Sequence, residues 1–262
     1  MITSKMKILV TGNRGFIGTH ISMLLSETNA AFTGIDKGDT IPKDRFDIIL
    51  HFGARTLIRN SLQYPYEYFT DNEGYTMQIL EKCRRDDSVI VFPTSGSVSL
   101  PTNPYSLSKK NGEDWVKMYT LLYGVKSHIL KLFNIYGEGS RKGAVYLFSK
   151  AAAENKPAIV YGDGTHRRDF VYVKDLVNYI YEIINAKIST GVHEIGTGIG
   201  TSIMELISII EKVSHKKIKV EYKPYILEEA EDLHALHPSL ISPTSLSKGV
   251  QNVLDDIYRE KV

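Results

Sequence analysis

A glycine-rich turn near the start of the chain limits the possible folds more than any other feature. The run 7–11 predicts a buried strand, and residues 16–27 have the periodicity of a helix. Glycine lets the backbone between them turn tightly and approach a phosphate, to which the helix N-terminus offers N–H groups. We therefore expect a diphosphate-binding turn formed by Gly12, Asn13, Gly15, Phe16, Ile17 and Gly18.

Strands and helices alternate along the first half of the chain. Further strand-like runs lie at 32–36, 47–52, 88–92 and 127–132, with helical periodicity over 65–85 and 105–123. This alternation is typical of α/β proteins and predicts a Rossmann-type doubly wound parallel sheet.

The pattern becomes looser beyond residue 135. It predicts a dinucleotide-binding Rossmann domain over 1–135, to which a later segment, about 165–195, returns. Most of 136–262 is then expected to form a small C-terminal substrate-binding lobe.

The composition of the chain limits which classes of binding partner can be expected. The 32 basic and 30 acidic residues leave a formal net charge of +2, which gives no reason to expect nucleic acid or an anionic membrane as a partner. Apolar runs stay below transmembrane length, and the histidines show no metal-ligand cluster. The single cysteine, Cys83, is compatible with a reducing cytoplasm, so we expect a cytoplasmic location.

An acid ends the second predicted strand. Asp36 comes 18 residues after Gly18, close to where a carboxylate accepts hydrogen bonds from the adenosine ribose of a dinucleotide. Its charge repels a 2′-phosphate and so favours NAD over NADP, although the neighbouring Lys37 partly softens that repulsion. The alternative is that Asp36 is an ordinary turn residue at a strand end.

A tyrosine and a lysine lie four residues apart in the helix predicted over 105–123. Tyr105 and Lys109 therefore share one helix face, where the ammonium is expected to lower the pKa of the phenol. Such a tyrosine can exchange a proton with a sugar hydroxyl as hydride moves to or from nicotinamide. The spacing alone is equally typical of a surface pair.

Two more polar residues support a site at the carboxyl edge of the sheet. Ser95 follows the fourth strand, at the edge where such folds bind ligands. Asn72 lies in the intervening helical region and is expected near the cofactor.

Several blocks together resemble the NAD-dependent epimerase/dehydratase family of extended short-chain dehydrogenases/reductases. These blocks are Thr11 to Gly18, Asp36, His51-Phe52-Gly53-Ala54, Pro65 to Asn72, Thr94-Ser95, Tyr105/Lys109, Leu132 to Gly137, and Tyr161 to Gly164 leading to Arg168 to Asp175. The resemblance covers nearly the whole chain, and the last two blocks are its most specific.

The resemblance implies a role for each matching residue. Ser95 corresponds to the hydroxyl that binds the reacting sugar oxygen, Tyr105 to the acid/base, and Lys109 to the residue that binds nicotinamide ribose. Asn134 corresponds to the asparagine that holds the diphosphate or the sugar. Arg168 corresponds to the arginine that pairs with the nucleotide diphosphate, and Arg167 competes for that role. The remaining implied contacts are Phe52, Gly53, Ala54 and Asn72 with NAD, and Gly96 and Ser97 with the substrate. A homodimer is also implied.

The residues after Ser95 bear on the type of reaction. Dehydratases of the family carry Asp-Glu there, and this chain carries Gly96 and Ser97, which disfavours dehydration. A C4 epimerase needs only the hydroxyl, tyrosine, lysine and held NAD, so we expect a nucleotide-sugar 4-epimerase acting on a UDP-, GDP- or dTDP-sugar. The alternatives are a 4-keto-sugar reductase and a non-catalytic nucleotide-sugar sensor. The short segment between Ser95 and Tyr105 leaves the sugar open.

Overall fold

The computed structural model describes residues 6–28, 30–96, 101–224 and 232–260. The strands are β1 (Ile8–Thr11), β2 (Phe32–Ile35), β3 (Ile48–His51), β4 (Val89–Ser95), β5 (Ser127–Leu132), β6 (Asn134–Tyr136), β7 (Ala158–Tyr161), β8 (Arg167–Arg168), β9 (Phe170–Tyr172), β10 (Gly191–Ile195), β11 (Thr201–Ser202), β12 (Val220–Lys223) and β13 (Asp232–Leu233). The helices are α1 (Phe16–Glu27), α2 (Ile58–Gln63), α3 (Pro65–Tyr68), α4 (Tyr75–Asp86), α5 (Pro104–Tyr123), α6 (Ala144–Glu154), α7 (Val173–Ile184), α8 (Ile203–Ser214) and α9 (Leu246–Arg259), with a π-helical segment at Phe69–Gly74.

The chain divides into two compact units. Unit 1 comprises Met1–Leu132 and Val177–His193, and unit 2 comprises Phe133–Leu176 and Glu194–Val262. Of the returning segment expected over 165–195, residues 177–193 lie in unit 1 and residues 165–176 in unit 2.

Unit 1 is built around a sheet with the strand order β10-β5-β4-β3-β1-β2. The pairs β1–β2, β1–β3, β3–β4 and β4–β5 are all parallel. The chain leaves β1 toward one edge through α1 and later toward the other through α4 and α5. Because such crossovers are right-handed, α1 lies on the face opposite α4 and α5. The predicted Rossmann-type doubly wound sheet is confirmed.

Strand alternation fills both faces of this sheet. Leu9, Ile49 and Ile90 belong to a buried cluster with residues of α4 and α5 such as Leu80 and Val116. The strand residues between them point to the other face and are also buried. A sheet buried on both faces exposes its functional groups only at strand ends, which is where the candidate site lies.

Unit 2 has its own core. The helices α6, α8 and α9 pack together, and Val145, Leu206 and Val253 are among their buried residues. Short strand pairs complete the unit: β6 with β9 and β7 with β12, both parallel, and β8 between β11 and β13.

The helix predicted over 65–85 is wrong in its continuity. The structure has α3, then the π-helical segment Phe69–Gly74, then α4. Asn72 and Gly74 both disfavour regular helix, Asn because its side chain competes for backbone hydrogen bonds and Gly through its backbone entropy. The π-helical segment directs the Asn72 side chain inward, where it is buried.

Candidate active site

The glycine turn of unit 1 makes a close backbone approach. Gly12 has a φ of +70°, and a Cβ there would lie 2.7 Å from the Gly53 nitrogen. A Cβ at Gly18 would lie 2.0 Å from the Gly12 carbonyl oxygen. The turn leads into α1, whose first N–H groups, including those of Phe16 and Ile17, have no partner within the helix. The structure thus has the compact, N–H-lined turn that a diphosphate requires.

Asn13 adds a polar atom to this turn. Its side chain packs on Gly34 in β2, where a Cβ would lie 2.3 Å from the asparagine Nδ2. Among the described residues, its Oδ1 is buried and has no hydrogen-bond partner. A buried acceptor without a donor is unusual, and a dinucleotide held at this turn would offer hydroxyl donors. The turn therefore fits the group that the sequence predicts for it.

Asp36 is bound to the backbone of the same turn. Its carboxylate accepts the Arg14 N–H at 3.0 Å and the Lys37 N–H at 2.7 Å. Asp36 thus bonds the backbone of a turn, as the alternative interpretation expected. These bonds also fix its carboxylate beside the glycine turn. A carboxylate offers about four lone pairs, so two such bonds leave capacity for ribose hydroxyls.

A buried histidine ties together the segments that follow β1 and β3. The Nδ1 of His51 is 2.8 Å from the Thr11 hydroxyl, which also accepts the Gly53 N–H at 3.0 Å. The Nε2 of His51 is 3.0 Å from the Thr76 hydroxyl in α4. Burial, and next the charge of Lys109, lower the pKa of His51 to about 3, so the ring is neutral.

This network explains how Phe52, Gly53 and Ala54 come to lie beside the glycine turn. The sequence indicated His51 but missed the roles of Thr11 and Thr76. Thr11 and His51 are direct partners in the parallel register of β1 and β3. Two polar residues at the ends of buried strands can be recognised in a sequence, and they indicate a hydrogen bond if the strands are adjacent.

Asn72 binds the protein rather than pointing outward. Its Oδ1 accepts the Arg55 N–H at 2.8 Å, and its Nδ2 donates to the Arg55 carbonyl at 3.1 Å and to the Ser108 hydroxyl at 2.8 Å. Ser108 in turn donates to the Tyr105 carbonyl at 2.8 Å. Asn72 therefore links the segment after β3 to the start of α5, and Ser108, which sequence reasoning missed, completes the link.

Tyr105 and Lys109 lie in the first turns of α5. The helix begins at Pro104 with a capping box in which the Asn103 side chain accepts the Ser106 N–H at 2.9 Å. Tyr105 is half-buried, with its ring 6.5 Å from that of Tyr68.

Lys109 points toward the sheet. Its Nζ lies 4.6 Å from the centre of the Phe92 ring in β4. Its carbonyl is 3.5 Å from the Thr94 hydroxyl, next to Ser95. The structure thus packs Lys109 against β4, the strand that ends at Ser95, and Tyr105 lies one turn earlier on α5.

Ser95 is the last residue of β4, and Gly96 follows it. Ser95 pairs with Leu132 across the β4–β5 ladder, and the Gly96 N–H donates to the Leu132 carbonyl at 2.8 Å. Ser97 lies outside the described residues.

The predicted direction of the tyrosine pKa is wrong in this structure. Burial, followed by the neighbouring Tyr68, raises the pKa of Tyr105 to about 12. Burial also lowers the pKa of Lys109 to about 8. Because Lys109 is buried and Tyr105 is half-buried, the charged form of each is disfavoured, and this outweighs the attraction expected from their spacing.

In unit 2, Asn134 begins β6 and the arginine pair forms β8. The Asn134 N–H and Nδ2 both donate to the Asp169 carbonyl, at 2.9 and 3.2 Å. Arg168 is buried, and its Nη1 donates to the Arg167 carbonyl at 2.9 Å. Arg167 is the solvated one of the two, with 46% of its side chain exposed and an ion pair to Glu205 at 3.3 Å.

The fully buried carboxylate of Asp169 organises this region, which sequence reasoning missed. It accepts the Thr197 hydroxyl at 2.6 Å and the N–H groups of Thr197, Gly198 and Ala235 at 2.9 to 3.2 Å. Asp169 lies between Arg168 and β9, so these bonds fix the backbone next to Arg168.

The described residues include neither a membrane-spanning helix nor a metal-ligand cluster. They contain no helix long and apolar enough to cross a membrane. They also contain no group of three or more His, Cys, Asp or Glu residues placed to hold a metal ion.

Comparison with known proteins gives consistent matches. The model of the NAD-dependent epimerase/dehydratase family matches residues 8–196. A putative UDP-glucose 4-epimerase of Methanocaldococcus jannaschii is 33% identical over 249 residues, which cover 78% of this chain and 81% of the relative.

Solved structures agree. UDP-glucuronic acid 4-epimerase from Bacillus cereus, solved with UDP-glucuronic acid and NAD, has a TM-score of 0.88 and 26% identity, covering 97% of this chain and 100% of that one. UDP-N-acetylglucosamine 4-epimerase from Methanobrevibacter ruminantium has the same fold, with a TM-score of 0.88 at 22% identity, covering 98% and 100%.

Proposed function

This chain belongs to the NAD-dependent epimerase/dehydratase family, and we propose that it is an NAD-dependent isomerase that inverts C4 of a nucleotide-diphosphate sugar. The observation that carries the proposal is that Lys109 packs on β4 next to the strand end that bears Ser95, with Tyr105 one turn earlier on the same helix. A glycine turn with a carboxylate beside it lies in the same unit. The 4-epimerases among the relatives support C4 as the reacting carbon.

The residues divide the work as follows. Ser95 orients the sugar hydroxyl at C4, and the Tyr105 phenolate takes its proton during oxidation and returns it during reduction. When bound, NAD would supply the acceptor and donor of the C4 hydride and a positive ring that would favour the phenolate. Lys109 binds the nicotinamide ribose and adds a second positive charge, so both groups act against the burial that raises the pKa of Tyr105.

The remaining residues of unit 1 hold the cofactor. The N–H groups at the Gly12–Gly18 turn bind the diphosphate, and Asp36 accepts the adenosine ribose hydroxyls. The segment Phe52 to Ala54, fixed by His51, forms the adjoining wall. Asn72 positions that wall through Arg55 and positions α5 through Ser108.

We assign the nucleotide diphosphate of the substrate to unit 2. Arg168 supplies a planar guanidinium suited to a diphosphate, and Asn134 adds an amide. Asp169 fixes the backbone beside both residues: its carbonyl accepts from Asn134, and its carboxylate accepts from the Thr197 N–H. The UDP-sugars bound by relatives favour a uridine nucleotide.

Replacement of the proposed acid/base tests the function. We expect Tyr105→Phe to lower the rate of C4 interconversion by about a thousandfold while NAD binding is retained. Tyr66→Phe, at an exposed tyrosine of the same unit, is the matched control and should keep full activity. The substrates are UDP-, GDP- and dTDP-sugars, with the product configuration read by NMR.

Two outcomes would contradict the proposal. Unchanged turnover in Tyr105→Phe would remove the acid/base assignment. Net consumption of NADH or NADPH with a 4-keto sugar would identify a reductase instead.

We further propose a homodimer formed through α5. One face of this helix exposes large apolar side chains within an arc of about 120°, since successive residues are 100° apart. They are Leu107, Trp115, Met118, Leu121 and Leu122, which are 41–79% exposed. Exposed apolar patches of this kind mark interfaces, and Leu121→Glu with Leu122→Glu should give a monomer in light scattering.

We also propose that the protein acts in the cytoplasm. The support is that Cys83 is a free thiol, buried in α4. Burial raises its pKa to about 12 and keeps it protonated.

A further inference from the structure

Two basic residues close to Asp36, Arg14 and Lys37, each form ion pairs with carboxylates. Arg14, in the glycine turn, lies 3.9 Å from the Asp36 carboxylate and 3.1 Å from that of Asp39. Lys37, which follows Asp36, donates from its Nζ to Asp71 at 2.8 Å. The ribose side of the turn therefore has two cations and three carboxylates.

Asp71 holds a position between two loops. The same oxygen, Oδ2, accepts from Lys37 after β2 and from the Arg55 Nε after β3. Since β2 and β3 flank β1, Asp71 bridges the segments on both sides of the strand that carries the glycine turn. Although burial acts to raise it, hydrogen bonds from Lys37 and Arg55 hold the pKa of Asp71 below its usual value.

We infer that Asp71 determines the preference for NAD over NADP by keeping the Lys37 ammonium away from the position of a 2′-phosphate. The inference rests on the proposed function, because it concerns how the same turn selects its cofactor. Asp36 repels the 2′-phosphate directly, and Asp71 acts through Lys37.

The chemistry of the 2′-phosphate makes Lys37 the decisive cation. A phosphate monoester carries between one and two negative charges near pH 7 and needs a cation to offset an adjacent carboxylate. Lys37 is next to Asp36 in sequence and is the natural donor, but its charge is already neutralised. Arg14 is likewise committed to Asp36 and Asp39. Release of Lys37 from Asp71 therefore supplies the missing partner.

Calorimetric titration of NAD and NADP tests the inference. We expect Asp71→Asn to tighten NADP binding roughly fivefold while NAD binding stays within about twofold, as one exposed ion pair allows. Glu67→Gln is the matched control. It removes the same charge from a residue that pairs with Arg55 at 2.5 Å and not with Lys37, so the NAD-to-NADP ratio should not change.

A double variant isolates the role of the lysine. In Asp71→Asn/Lys37→Met the gain in NADP affinity should disappear, because the released ammonium is then absent. An unchanged ratio in Asp71→Asn, an equal change in Glu67→Gln, or a gain that survives the double variant would overturn the inference alone. Failure of the unmodified chain to bind either dinucleotide would overturn the proposed function, and the inference with it.

Discussion

The two units position their strand-end loops with different chemistry. In unit 1, His51 joins Thr11 and Thr76 through neutral hydrogen bonds, and burial keeps its pKa at about 3. In unit 2, the carboxylate of Asp169 gathers three N–H groups and a hydroxyl. A neutral histidine that joins two loops costs little to bury, but its ring stays neutral only above its pKa in the folded protein. A buried carboxylate binds more donors, so its replacement leaves more of them unsatisfied.

The largest effect is expected at Asp169. Asp169→Asn places an amide among backbone donors and should lower the free energy of unfolding by about 3 kcal/mol, through several lost hydrogen bonds. Hydrogen exchange should rise at residues 196–198 and at Ala235, whose N–H donates to Asp169. Asp163→Asn, at an exposed turn carboxylate of the same unit, is the control and should change exchange only near Thr165. Equal effects of the two variants would remove the distinction between the units.

The second effect concerns the neutral linker. His51→Phe keeps an aromatic ring next to Tyr75 and Phe92 but loses both hydrogen bonds, so we expect a loss of about 2–3 kcal/mol. Urea unfolding followed by the fluorescence of Trp115, the only tryptophan and a residue of unit 1, measures it. A loss below about 0.5 kcal/mol would show that the hydrogen bonds of His51 contribute little.

Acid should reveal the histidine specifically. The pKa of His51 falls from 6.5 in the unfolded chain to about 3 in the folded one, so the unfolded state binds more protons between these values. Stability is therefore lost as the pH falls from about 6.5 toward 3, and by pH 5 the loss is about 2 kcal/mol. Unfolding of His51→Phe should lack this part of the pH dependence, whereas His128 and His193 titrate in both proteins. Parallel pH profiles would contradict the assignment.

The smallest effect should come from the link to α5. Ser108→Ala removes the acceptor of Asn72 and one bond to Tyr105, with an expected loss of about 1 kcal/mol. Asn72 keeps its bonds to Arg55 in this variant, which limits the loss. Thr120→Ala removes a hydroxyl from the same helix and is the control for a general effect on the helix. A fall in turnover in Ser108→Ala alone would show that the link positions Tyr105.

Sequence patterns predicted most of the framework. The strand predicted over 7–11 is found at 8–11, and the helix predicted over 16–27 has those bounds, because local periodicity and glycine conformation are encoded by neighbouring residues. The placement of Tyr105 and Lys109 one turn apart on α5 is predicted for the same reason. The helix over 65–85 was wrong because the bonds that turn Asn72 inward come from Arg55 and Ser108, which are distant in the sequence.

The amino-acid sequence by itself thus determined the glycine turn, the order of strands and helices, and the residue types of the reacting group. Only the tertiary structure decided that His51 joins two loops, that Asp169 gathers the backbone beside Arg168, and that Asp71 neutralises Lys37. It also decided the direction of the Tyr105 pKa, because burial depends on what the whole fold packs around the phenol. Local patterns report what one segment favours, whereas charge and desolvation depend on segments that meet only after folding.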